Sequence, residues 1–231
     1  MYVLGLDLET TGLSHERDQI IELGAVVWDT RANKPVSMMN RLINIGPRQL
    51  EEEIIELTGI EQKHLREFGI SELTAINEML ELAERCEYIV AHNGPQFDKI
   101  FIERALARYE LEMDIPWIDT LHDVPYRDDV KTRKLTYLAT EHKFLNPFSH
   151  RALFDVLTMM EVVSKYDWNE VIELSKSPTV RVQAIVSYDE RSKAKDAGFR
   201  WDAPNKVWIK DMKQVQLESS TFPFLYETSL L

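Results

Sequence analysis

The chain opens on a short apolar run, Tyr2-Val3-Leu4-Gly5-Leu6, that ends at Asp7 and reads as a buried strand. Ile20 to Trp28, interrupted by Glu22, and Val36 to Ile45 read as two more strands, and their close succession predicts a meander. The period then changes. Leu73, Ile76, Leu80 and Ala83 fall at helical spacing. Tyr88-Ile89-Val90-Ala91 returns to a buried strand, and Phe97, Ile100, Phe101 and Leu106 mark an amphipathic helix. Arg151 to Ser164 and Trp168 to Leu174 predict further helices. A strand meander followed by alternating helices and strands predicts an α/β fold, a mixed β-sheet flanked by helices.

Ser175-Lys176-Ser177-Pro178 breaks this pattern. It suggests a first domain over residues 1–176 and a small α+β module with a tail over 177–231. Within the module, Val180 to Ser187 reads as a strand and Asp189 to Gly198 as a short helix ended by Gly198. Phe199-Arg200-Trp201 and Val207-Trp208-Ile209 flank a turn at residues 202–206, which predicts a hairpin.

The net charge of −12 argues against a polyanionic partner. The charge is uneven, however. Residues 1–175 hold 18 basic and 32 acidic side chains, whereas residues 176–213 hold 9 basic and 5 acidic. Cys86 is the only cysteine and reads as a small buried hydrophobe. No apolar run approaches the roughly 18 residues of a membrane span, and the first acid comes too early for a secretory signal. A cytoplasmic protein with no membrane association is expected.

The candidate chemistry lies in three segments. In D-L-E-T-T-G-L, from Asp7 to Leu13, Asp7 and Glu9 are two apart on a strand and share one face. Two acids at the end of an apolar strand need a compensating cation, and hard oxygen ligands suit Mg²⁺ or Mn²⁺; a solvated strand end is the alternative. In A-H-N-G-P-Q-F-D, Asp98 opens a helix, where an acid also offsets the macrodipole. In H-R-A-L-F-D, Asp155 lies beside the apolar face of its helix, and His150 reads either as a cap or as a catalytic group.

Taken in order, these segments resemble the DnaQ-like 3′–5′ exonucleases of the DEDDh type, over roughly residues 2–165. D-Q-I-I-E-L-G-A-V from Asp18 and I-D-T from Ile118 belong to the same likeness. Gly94, Pro95 and Gln96 separate Asn93 from Phe97-Asp98, one residue more than in many members, a form similar to the TREX branch. The resemblance implies a ribonuclease-H-like core with two Mg²⁺ or Mn²⁺ ions held by Asp7, Glu9, Asp98 and Asp155, and His150 as general base. Thr10 and Thr11 would contact the 3′-terminal sugar, Leu13 would wedge against the last base, and Asn93 would shape the site. The implied reaction releases nucleoside monophosphates from single-stranded DNA or a DNA 3′ end, in replication or repair. Cleavage of RNA and a non-catalytic, polymerase-associated adaptor are the alternatives.

Two basic groups complete the reading. Arg127, Lys131, Arg133, Lys134 and Lys143 are placed to line a phosphate path, or to form a solvated basic loop. In the module, Lys193, Lys195, Arg200, Lys206 and Lys210 interleave with Phe199, Trp201 and Trp208. Trp201 and Trp208 read as the module's core across the hairpin, since so short a segment has few other large apolar groups. The alternative is a surface that stacks bases.

Overall fold

A nine-residue strand, β1 (Tyr2–Thr10), lies at the centre of a five-stranded sheet in the computed structural model, which describes residues 1–127 and 130–230. On one side β2 (Ile20–Asp29) and β3 (Lys34–Leu42) continue it as the expected antiparallel meander. On the other side β4 (Tyr88–Ala91) and β5 (Trp117–Asp119) run parallel to it, giving the order β3-β2-β1-β4-β5. Helices α1 (Glu52–Thr58), α2 (Gln62–Phe68) and α3 (Glu72–Ala83) separate the meander from β4. Helices α4 (Asp98–Arg108), α5 (Leu135–Glu141), α6 (Ala152–Val163) and α7 (Trp168–Lys176) follow.

Alternation along β1 sorts its side chains between two environments. Leu4, Leu6 and Leu8 are buried with Leu23, Ala25 and Val27 against Ile76, Met79 and Ile102 of α3 and α4. Gly5, Asp7 and Glu9 take the other face, which α6 covers. A Cβ added at Gly5 would lie 2.7 Å from Val156 Cγ1, and one added at Gly24 would lie 2.5 Å from the Leu153 amide nitrogen. Gly24 pairs directly with Asp7 in the sheet register. Two glycines on neighbouring strands therefore let the first turn of α6 descend onto the sheet beside the acids of β1.

The chain divides into two compact units, Met1–Val171 and Ile172–Leu231. The second contains β6 (Thr179–Ile185), α8 (Arg191–Asp196), β7 (Arg200–Asp202), β8 (Val207–Lys213), α9 (Gln214–Ser219) and β9 (Leu225–Leu230). Its strands form an antiparallel sheet of order β7-β8-β6-β9. Gly198, at φ 80°, ends the short helix as its sequence position predicts. The core differs from the expectation. Val180, Val182, Ala184, Ala194 and Phe199 form it, and Phe222 and Phe224 meet Phe199 edge-on at 5.2 and 5.3 Å. Trp208 packs against this cluster, but Trp201 stays half exposed. The tail supplies the apolar filling that residues 180–210 lack, so Trp201 is not needed inside.

No helix among the described residues is long and apolar enough to cross a membrane.

Candidate active site

The carboxylates converge where β1 ends, and each arrives by a different local device. Asp7 and Glu9 project from alternate positions of β1 towards α6. Asp98 opens α4 immediately after β4 and a 3₁₀ turn (Gly94–Gln96), with Asn93 in the left-handed region at φ 63°. Asp98 is 2% exposed, and its Oδ1 has no hydrogen-bond partner. Asp155 sits in the first turn of α6, where Asn146 Nδ2 donates to Oδ1 at 2.7 Å and the His150 amide donates to Oδ2 at 2.9 Å.

His150 also has a positive φ, 62°, which is uncommon for a side chain with a Cβ. The hydrogen bond from its backbone N–H to Asp155 Oδ2 holds that conformation and leaves the imidazole beside the acids. One ligand atom from each of Glu9, His150 and Asp155 lies within 4.8 Å of the others. His150 remains exposed, so its ring meets solvent as well as the carboxylates.

The electrostatics report crowding of like charge. Burial, followed by the charges of Asp98, Glu9 and Asp155, raises the Asp7 carboxyl well above its ordinary range. Burial and the charges of Asp155, Glu22 and Asp98 push Glu9 up to about 8. Burial pushes Asp98 up to about 7 and also raises Asp155. Four acids that resist ionisation, one with an orphaned buried oxygen, fit a cation site: a bound cation supplies the missing partner and favours the charged forms.

Glu22 carries no site role in the sequence reading, yet it organises this region. It is fully buried and stands directly across the sheet from Glu9. Like charges in that position destabilise a strand pair. Arg151 meets Glu22 through a forked ion pair, the Ala152 amide donates to Glu22 Oε2 at 3.0 Å, and Asn40 donates to Oε1 at 2.8 Å. An acid inside an otherwise apolar strand was the available signal. Asp119, at the end of β5, is a second organiser: it accepts from the Asn93 and Leu121 amides at 2.8 and 2.9 Å.

The proposed substrate contacts divide. Leu13 is 82% exposed on the turn after β1. The Thr10 hydroxyl donates to Gly12 O, and the Thr11 hydroxyl donates to Asp18 while accepting from the Gln19 amide, so both hold the turn that presents Leu13. Asn93 lines a cleft of about 650 Å³ together with His150, Asp155, Arg133 and Lys134. Arg133 and Lys134 therefore border the cleft that Asp155 and His150 also line, with Arg133 donating to the Leu121 carbonyl. Arg127 instead pairs with Glu141, and Lys131 and Lys143 are not among the residues that line the cleft.

A family model described as an exonuclease matches residues 4–163. The chain belongs to the exonuclease family. A second model, described as a domain of unknown function, matches residues 180–226. The chain is 32% identical over 164 residues to a PolC-type DNA polymerase III of Ureaplasma parvum, a match that covers 70% of this chain and 11% of the polymerase. It thus spans about a tenth of the curated relatives it matches. Among solved structures, E. coli exonuclease I in complex with a dA16 oligonucleotide superposes with a TM-score of 0.63 at 15% identity, covering 80% of this chain and 48% of that one. The nuclease domain of 3′hExo, a DEDDh family member bound to rAMP, superposes with a TM-score of 0.58 at 17% identity, covering 71% and 90%. The central mixed sheet flanked by helices is the ribonuclease-H-like fold of these exonucleases.

Proposed function

We propose that the protein is a divalent-metal-dependent 3′–5′ exonuclease that removes nucleoside monophosphates from single-stranded DNA. One observation carries the reading: Asp7, Glu9, Asp98 and Asp155 meet beside His150 with every acid held above its ordinary range. These acids are the metal ligands in this reading, with Mg²⁺ or Mn²⁺ as two ions suited to their hard oxygens. Bound ions would lower the pKa of an attacking water and stabilise the departing oxygen.

The chain's own residues supply the rest. The His150 imidazole, open to solvent beside Glu9 and Asp155, takes the proton of the attacking water. The hydrogen bond from the His150 N–H to Asp155 ties the proposed base to the proposed ligand. Arg133 and Lys134 offer charge to the phosphates, and Leu13 and Asn93 border the terminal nucleotide. The solved complexes of exonuclease I with single-stranded DNA, one of them in a zinc-bound form, support this choice of substrate and the need for a divalent ion. The polymerase relatives support action on DNA in the cytoplasm. They also favour a second reading, in which the domain edits 3′ ends for a polymerase.

Incubation of the full chain with end-labelled single-stranded DNA, duplex DNA and RNA, with Mg²⁺ or with EDTA, tests the proposal. Stepwise loss of 3′ nucleotides from single-stranded DNA, stopped by EDTA and by Asp7→Asn or His150→Ala, is expected. Absence of Mg²⁺-dependent trimming of all three substrates would overturn the enzyme reading, and faster trimming of RNA would overturn the choice of DNA.

A further inference from the structure

The second unit carries an open cleft of about 610 Å³ in which Tyr188, Arg191, Trp201, Lys206, Trp208 and Ile185 meet. We propose that this cleft holds single-stranded nucleic acid, with bases stacked on its rings and phosphates held by Arg191 and Lys206. The inference rests on the nuclease reading for its choice of polymer.

Two of the rings, Trp201 and Tyr188, are not spent on folding, while Trp208 packs against the core. The core of the unit is filled by Val180, Val182, Phe199, Phe222 and Phe224. Trp201 is 50% exposed and Tyr188 is 77% exposed. Trp201 pairs with Trp208 across the β7–β8 ladder, with ring centres 5.6 Å apart and planes tilted by 58°. This pair lines the cleft together with Ser187 and Tyr188 of the loop after β6. There the Arg191 guanidinium lies 3.8 Å above the Tyr188 ring and donates to the Tyr188 carbonyl. A guanidinium stacked in this way keeps its charge and a flat outer face.

Charge decides the occupant. Arg191 and Lys206 are paired with no acid among the described residues. The acids next to these residues in sequence are mostly engaged: Glu190 accepts from Lys193 and Ser187, and Asp202 accepts from Asn205, while Asp189 is exposed and is not among the residues that line the cleft. Residues 176–213 are the basic stretch of a chain whose net charge is −12. Exposed aromatic faces interleaved with cations suit a strand whose bases are free to stack, and such stacking tolerates any sequence. Holding the polymer on the chain that cuts it raises the local concentration of 3′ ends.

Binding of a fluorescein-labelled oligothymidylate to the full chain in EDTA, followed by anisotropy, tests the cleft. Without metal, the first unit lacks the cations that would hold a phosphate at its acids, so the signal reports other surfaces. Trp201→Ala should raise Kd about ten-fold, as loss of one stacked base predicts. Lys206→Gln should make the dependence on salt shallower by about 0.7 in log–log slope, one single-strand phosphate contact. Both variants should keep the wild-type melting temperature, and both should hydrolyse a trinucleotide at the wild-type rate while KM for a long strand rises. Binding unchanged in Trp201→Ala overturns the proposal, whether or not Lys206→Gln responds, because charge without stacking is a different contact. The two readings fail separately: a wild type that binds through Trp201 yet trims nothing sinks the nuclease, and a nuclease indifferent to Trp201 sinks the cleft.

Discussion

Arg151 grips Glu22, 129 residues earlier in the chain, with Nε donating to both carboxylate oxygens at 3.1 Å and Nη2 to Oε1 at 2.7 Å. The fork ties the residue between His150 and α6 to the strand that faces Glu9. Removing Arg151 leaves the buried Glu22 carboxylate without its ionic partner. The cost lies towards or below the low end of the roughly 3–5 kcal/mol of a fully buried pair, because Arg151 is partly exposed and the Ala152 amide and Asn40 remain. Arg151→Met should therefore lower stability by that order in urea unfolding and abolish most activity. Glu22→Gln keeps the shape and leaves no buried anion, so it should destabilise by less than Arg151→Met. Equal losses in the two variants would show that the pair does not act through the charge of Glu22.

The raised carboxyls set the pH dependence of the metal-free protein. Glu9 moves from 4.5 to about 8 and Asp98 from 3.8 to about 7. Between the unfolded and folded values the native state binds more protons than the unfolded chain, so stability falls as pH rises through this window. In EDTA the melting temperature should drop as pH rises from about pH 5 to about pH 8. Asp98→Asn should flatten that slope and raise the melting temperature at pH 8, while lowering activity in Mg²⁺. Added Mg²⁺ should protect the wild type more at pH 8 than at pH 5. A melting temperature in EDTA that climbs with pH would contradict the crowding of these acids.

Gly24 and Gly5 differ in what a methyl group would meet. At Gly24 it meets backbone of Ala152 and Leu153 at 2.6 and 2.5 Å, whereas at Gly5 it meets side chains of Val156 and Met160. Overpacking costs about 1–3 kcal/mol, and backbone yields less than side chains. Gly24→Ala should therefore displace the first turn of α6 and reduce kcat more than Gly5→Ala at comparable loss of stability. Equal kcat in the two variants would refute the link between this close approach and the placing of Asp155.

Leu13 has little folding work to do, since its side chain is largely in solvent. Leu13→Ala should leave the melting temperature within about 1 °C and raise KM for single-stranded DNA several-fold, as loss of a small apolar contact of about 1 kcal/mol predicts. An unchanged KM would remove Leu13 from the substrate path.

Much of the architecture was legible because its signals are local. Apolar runs at β1, β2 and β4 and helical spacing in α3, α4 and α6 placed the main elements. The seven-residue helices α1, α2 and α5 and the three-residue β5 are too short for a period to show. The core of the second unit was misread because it draws on Phe222 and Phe224, beyond the segment that looked self-contained.

The sequence by itself singled out the residues proposed to carry the chemistry: the order of Asp7, Glu9, Asp98, His150 and Asp155 is a one-dimensional pattern that survives without coordinates. Strand periodicity also put Asp7 and Glu9 on one face. Only the tertiary structure decided how those acids are held. That Glu9 faces Glu22, that Arg151 answers Glu22, and that Gly24 admits α6 are facts of sheet register and close packing between segments over a hundred residues apart. Such pairings depend on how the whole chain closes, and no local pattern encodes them.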